Sequence, residues 1–267
     1  MSDSANGQHG KGGHEVVDQL RQEFIDELVE TLQSLDVALD ALRNGRLDLV
    51  KVVTDCRRAA VLFRGQASNF AMHQLATVAH RLDEYLANAP TGAPPPRMWD
   101  DLQRFFDTMT RLAVSGTAAA AESDPASLVR KLPVKLGFDL GDIEIRDVEV
   151  LLVMPHGAQT RFVERELQQC GYRVSIMPDT LRAFAMVVET KPDLVIISAM
   201  MPDLEGIDLA VALASMPSTR NIPLAVITSL DKDDDTLKQL PARVPVLYKG
   251  ASFADDLFKA LDNLFLI

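Results

Sequence analysis

Three side chains able to do hydroxyl or ammonium chemistry stand where short apolar runs end: Ser198 after Leu194–Ile197, Thr228 after Leu224–Ile227, and Lys249 after Val244–Tyr248. None has a companion that would make it a catalyst. A serine hydroxyl without a neighbouring base is a poor nucleophile at neutral pH, and no Ser-His-Asp, HExxH, phosphate-loop or GxGxxG pattern occurs in a fitting context. The histidines are equally unassisted. His9 and His14 are too loosely spaced to argue for metal, His73 and His80 share one helical run, and His156 follows the first apolar run of the second half. Cys56 and Cys170 lie far apart without a CxxC or His-rich neighbour, which suggests neither a disulfide framework nor a zinc site and fits a reducing cytoplasm. The 267 residues carry a net charge of −11, which repels phosphate backbones and anionic membranes. The densest basic cluster, Arg57, Arg58 and Arg64, sits inside a helical pattern of mostly apolar positions. The expectation is a cytoplasmic protein with no cofactor, no metal, no nucleic-acid or membrane partner, and no ordinary enzyme activity.

Two sets of elements must position these groups. Residues 1–14 are rich in Gly and polar residues, lack the apolar core of a signal peptide, and are expected to be disordered. From Glu15 to Asn44, Leu20, Phe24, Leu28, Leu32, Leu35, Leu39 and Leu42 recur at helical spacing, and Asn44-Gly45 is a stop signal. A second helix is expected over 47–70, with Val50, Val53, Cys56, Ala60, Phe63 and Ala67 inside. A third is expected over 73–88 and, after the Pro-rich stretch 89–96, a fourth carrying Trp99, Leu102, Phe105, Phe106, Met109 and Leu112. Four amphipathic helices with short connections make an antiparallel bundle over 15–115. Residues 116–146 lack periodicity and read as a linker. From 147 onward five apolar runs alternate with helical stretches, the last two over 234–240 and 253–265. Such runs predict a doubly wound five-stranded parallel sheet whose function lies beyond the carboxyl ends of its strands.

The segments VEVLLVMPHGAQTRFVERELQQCGYRV, KPDLVIISAMMPDLEGIDL, IPLAVITSLD and VPVLYKG resemble the receiver domain of bacterial response regulators over residues 147–267. KPDLVIIS followed by MMPDLEG is the specific landmark. The resemblance implies an acidic pair after the first strand that holds Mg²⁺ and an aspartate ending the third strand that accepts a phosphoryl group. At those positions stand Met154 and Pro155, and Ser198. Thr228 and Lys249 match the residues that contact the phosphoryl group in the family. Gly250 replaces the proline usual there, and the aromatic switch position falls on Val246. Asp203 and Glu205 are ordinary acidic residues for the loop they occupy.

In the first half, FIDELVETLQSLDVAL, RRAAVLFRGQASNFAMHQL and AHRLDEYL resemble the histidine phosphotransfer (Hpt) domain of phosphorelays and chemotaxis-type kinases. On that register the phospho-accepting histidine falls on Val61, the family lysine on Arg64 and its glycine on Gly65. His80 and Asp83 match the third helix's HxxE. A glycine within a helix costs about 1 kcal/mol relative to alanine, so Gly65 implies either close approach of a partner or tight helix packing. Together the resemblances imply a two-component adaptor that binds histidine kinases or response regulators through Arg64, Gly65, His80, Asp83 and a receiver-like face. Tyr248, Phe253 and Leu257 are candidates on that face, which is also a possible homodimer surface. The alternatives are a relay with an unconventional phosphorylation site and a small-molecule sensor using the cleft around Met154, Ser198 and Thr228.

Overall fold

The computed structural model describes residues 8–87, 89, 94–115, 124–133, 146–250 and 253–265. The chain divides into two units, residues 1–138 and 139–267.

The first unit is a bundle of α1 (Gln8–Arg43), α2 (Leu49–Asn69), α3 (His73–Ala87) and α4 (Arg97–Val114), followed by the short α5 (Pro125–Lys131). Its core is one cluster from Phe24 and Leu28 to Leu39 on α1, Cys56, Ala60 and Phe63 on α2, Leu75, Val78 and Leu82 on α3, and Leu102, Phe105 and Met109 on α4. Truncating a fully buried member such as Leu28 to alanine should cost about 2–5 kcal/mol. Asn44-Gly45 ends α1 as the sequence predicts. Gly45 takes φ +69° and Arg46 N–H closes back onto the Ala41 carbonyl at 2.8 Å, a turn that favours a residue without Cβ.

Several expectations are corrected. Helix α1 starts at Gln8, inside the stretch 1–14 expected to be disordered, because extending an existing helix adds a hydrogen bond without a new nucleus. Residues 1–7 of that stretch lie outside the described residues. Leu20 and Val50, expected inside, are exposed. The core stripe of α1 is covered only from Phe24 onward, and α2 turns Leu49 and Val52 inward instead of Val50. The expected linker contains α5, capped by Asp124 accepting from Ser127 N–H at 3.1 Å with Pro125 in the first turn. Leu128 and Leu132 bury themselves in the bundle core. Most of the remaining linker lies outside the described residues.

The second unit is a five-stranded parallel sheet in the order β2-β1-β3-β4-β5, from β1 (Glu149–Val153), β2 (Arg173–Ile176), β3 (Leu194–Ser198), β4 (Leu224–Thr228) and β5 (Val246–Tyr248). Strands β1, β3 and β4 are buried throughout, since helices cover both faces. Helices α6 (Ala158–Gln169) and α9 (Phe253–Phe265) cover Leu152, Ile196 and Ile227 on one face. Helices α7 (Thr180–Thr190) and α8 (Gly206–Ser215) cover Val153, Ile197 and Val226 on the other. The helix expected over 234–240 is a single 3-10 turn, Leu237–Gln239. There Asp234 bonds its carboxylate to Thr236 N–H at 2.9 Å, a local turn that competes with helix, and Pro241 closes the segment. Among the described residues no helix is long and apolar enough to cross a membrane.

Candidate functional site

The residues singled out in sequence gather at two places, the outer face of α2 and the carboxyl ends of the strands. Residues Val50, Thr54, Arg57, Arg58, Val61, Leu62, Gly65 and Ser68 follow one another at helical spacing along the solvent side of α2. Val61 is 49% exposed and Leu62 47%, so position 61 faces outward with no imidazole to offer. Around Gly65 a Cβ would meet nothing within 4 Å. Tight helix packing is thereby ruled out, and the glycine opens the surface instead.

Beneath that face, Arg64 and Asp83 are held from α3 and α2 in turn. Arg64 Nη1 lies 3.1 Å from His80 Nδ1. Guanidinium only donates, so Nδ1 must carry the lone pair and Nε2 the proton. Burial holds the His80 pKa below its ordinary value. The Glu84 charge opposes this, and the Arg81 and Arg64 charges reinforce it. Nε2 is buried 3.7 Å from Glu84 Oε2, beyond hydrogen-bond reach, and finds no hydrogen-bond partner. His80, only 6% exposed, thus has one nitrogen engaged and the other inaccessible to a phosphoryl donor. Asp83 is not idle either, for Arg57 Nε donates to its Oδ1 at 2.9 Å. Sequence reasoning missed Arg57 in this role. Its position one turn before Val61 on the same helix was the available signal.

At the strand ends, register brings the expected residues together. Val153 pairs with Ile197, Ser198 with Ile227 and Thr228 with Tyr248, and Lys249 N–H donates to the Thr228 carbonyl at 2.9 Å. Met154, Ser198, Thr228 and Lys249 therefore lie at the carboxyl ends of four adjacent strands. Met154 is buried, Pro155 and His156 are exposed, and so are Asp203 and Glu205 in the loop after β3. Ser198 Oγ donates to the Met200 carbonyl at 3.0 Å, and Thr228 Oγ1 accepts from Leu230 N–H at 3.0 Å. Lys249 is partly buried, and desolvation lowers its pKa. No cluster of three or more His, Cys, Asp or Glu that could hold a metal occurs among the described residues. A thioether, a pyrrolidine ring and neutral hydroxyls do not suit Mg²⁺, which calls for anionic oxygen ligands.

A buried carboxylate of the sheet, Glu149, lies at its opposite end. Glu149 opens β1 and pairs with Arg173, while its N–H donates to Asp193 Oδ2 at 2.8 Å. Gly206, in sequence only part of the MMPDLEG landmark, is required sterically, because a Cβ there would come within 1.8 Å of the Ser198 carbonyl oxygen. Its N–H donates to the Ala199 carbonyl at 2.9 Å, tying the start of α8 to the end of β3. The proposed face residues fare unevenly. Phe253 and Leu257 are buried in the core and offer no contact, whereas Tyr248 is half-buried under Lys232, whose Nζ sits 5.3 Å above its ring. Cys56 is an inert core thiol, burial pushing its pKa up to about 12.

Family models match each unit: the Hpt domain over residues 19–114 and the response regulator receiver domain over residues 150–248. The chain is 34% identical over 117 residues to "Response regulator PleD" of Caulobacter vibrioides, covering 44% of this chain and 24% of that protein. It is 29% identical over 91 residues to the phosphate regulon transcriptional regulatory protein PhoB of Pseudomonas aeruginosa, covering 34% of this chain and 40% of that one. The matches therefore span about a quarter to two-fifths of these relatives' lengths. Among solved structures, the receiver domain of sensor histidine kinase PA1611 from Pseudomonas aeruginosa is 20% identical, covering 45% of this chain and 98% of that one, with a TM-score of 0.40. The chain thus carries an Hpt domain followed by a response regulator receiver domain, two modules of two-component phosphorelay signalling.

Proposed function

We propose that this protein is a non-catalytic adaptor of two-component signalling, binding histidine kinases or response regulators through its Hpt and receiver surfaces without passing a phosphoryl group. The observation that carries this reading is the donor set at the strand ends. Met154, Pro155 and Ser198 stand where phosphoryl capture needs anionic oxygens, and the Ser198 hydroxyl proton is already given to the Met200 carbonyl. The bundle agrees with it. Val61 offers no nucleophile, and His80 is locked between Arg64 and a buried, inaccessible edge. What remains on α2 is a surface suited to contact: exposed Val61 and Leu62 beside Arg57, Arg58 and the open Gly65. Such apolar patches flanked by arginine are what protein interfaces use.

The test is incubation of the full chain with a phosphorylated histidine kinase, and separately with acetyl phosphate and Mg²⁺, followed by intact-mass measurement. The expected result is no stable phosphoryl adduct. Stoichiometric incorporation would instead make the protein an active relay with an unconventional acceptor.

A further inference from the structure

We propose that the receiver domain pairs with a second copy of this chain through the outer face of α7, the two helices running antiparallel across a two-fold axis. The inference goes beyond the adaptor reading, because this face belongs neither to the outer side of α2 nor to the strand ends. It also differs from the Tyr248, Phe253 and Leu257 face named from the sequence.

The first support is an apolar stripe turned to solvent. Of the eleven residues of α7, only Arg182 and Glu189 are charged. Ala183 and Val187 turn inward, into the core shared with Ile197 and Val226. On the opposite side Leu181, Ala185 and Val188 follow at i, i+4 and i+7, all exposed, Leu181 at 64% and Val188 at 37%. A helix at the surface of a lone domain carries polar residues on that side, whereas apolar residues all round belong to a helix covered on both sides. The helix is also fixed in place. The Asp179 carboxylate accepts from Arg182 N–H at 2.9 Å, and Thr180 Oγ1 donates to the Leu204 carbonyl at 3.1 Å.

The second support is the placement of charge, which selects a second copy as the occupant. Arg182 and Glu189 are seven residues apart and so lie on one flank of the stripe. In an antiparallel pair the same flanks of the two helices meet with their heights inverted. With Leu181 opposite Val188 of the other copy, Arg182 of each copy then lies beside Glu189 of the other. A parallel pair leaves these flanks on opposite sides and makes no such contact.

The helix dipole points the same way. The flanking Asp179 and Lys191 carry the signs that the helix ends favour, but Arg182 in the first turn and Glu189 in the last carry the reverse. Within its own chain Arg182 faces Asp179 across 3.7 Å, with both side chains well exposed. An antiparallel copy brings Arg182 to the other helix's negative end and Glu189 to its positive end. This self-complementarity is what a two-fold interface requires. Ala185, midway along the stripe, is small enough for the two helices to approach closely. Three turns, about 16 Å of helix, make a small contact beside the roughly 1,000 Å² of a stable interface, so the pair is weak and concentration-dependent.

The experiment is sedimentation equilibrium of the full chain from about 1 µM to about 500 µM. The weight-average mass should rise toward twice that of the monomer. Leu181→Glu, at an exposed position, should weaken dimerisation at least about ten-fold by burying a charge. Arg182→Glu should weaken it about four- to nine-fold, since two-fold symmetry breaks two rim pairs at once, each worth a factor of about two to three. The double variant Arg182→Glu with Glu189→Arg should restore it to within about two-fold of the wild type. Circular dichroism reports that each variant is folded. A chain monomeric throughout the range, a dimer unchanged in folded Leu181→Glu, or a charge swap that fails to restore association would overturn the assignment.

Discussion

Lowering the pH should loosen the bundle through one residue, His80, and the size of the effect can be bounded. In the folded bundle the imidazole stays neutral, because burial disfavours its charged form and Arg64 occupies Nδ1. In the unfolded chain it titrates near 6.5. Above that pH both states are neutral and the histidine contributes no pH dependence. Below it the unfolded state binds a proton that the folded state refuses, so stability falls until the lowered folded pKa is passed. The slope cannot exceed about 1.4 kcal/mol per pH unit for one group. One unit below 6.5 the loss is therefore at most about 1.4 kcal/mol, or roughly 0.5–1.4 M in urea midpoint for a small domain. Trp99 is the chain's single tryptophan and packs against the bundle core, so its fluorescence follows this unit. Urea titrations at about pH 7.5 and 5.5 should show the drop in the wild type. His80→Gln keeps an acceptor for Arg64 but cannot titrate, and should show less of it. Midpoints that fall in parallel in both proteins would refute the reasoning.

Two further outcomes follow from the glycines. Gly206→Ala forces a Cβ within 1.8 Å of the Ser198 carbonyl, so it should destabilise the receiver domain by about 3 kcal/mol, at the upper end of overpacking costs. Calorimetry should show roughly a 10 °C drop in that domain's transition with the Trp99 signal unmoved, and an unshifted profile would contradict the close approach. Gly65→Ala should do the opposite. With open space around it, the added methyl should stabilise α2 by about 0.5–1 kcal/mol and raise the Trp99 urea midpoint; a lowered midpoint would mean the site is crowded after all.

Periodicity alone carried much of the architecture, because burying one stripe of a helix or both faces of a parallel strand leaves a mark in local sequence. Helix α9 falls where the apolar spacing places it, and β3, β4 and β5 lie within a few residues of the runs that end at Ser198, Thr228 and Lys249. The residue types Met154, Pro155, Ser198 and Val61 are read straight from the sequence, whereas the family residues they stand in for are only what the resemblance implies. What the sequence could not decide was long-range. That His80 presents a lone pair to Arg64, and that Arg57 engages Asp83, depends on how α2 and α3 pack, a contact between residues 16 and 26 positions apart. The failure of the expected helix over 234–240 had a local cause instead, the Asp234 carboxylate accepting from Thr236 N–H in competition with a helical turn. Whether Gly65 sits in a tight crossing or in the open was undecidable from spacing. A helix repeats its own geometry, but only its neighbours determine what fills the space beside it.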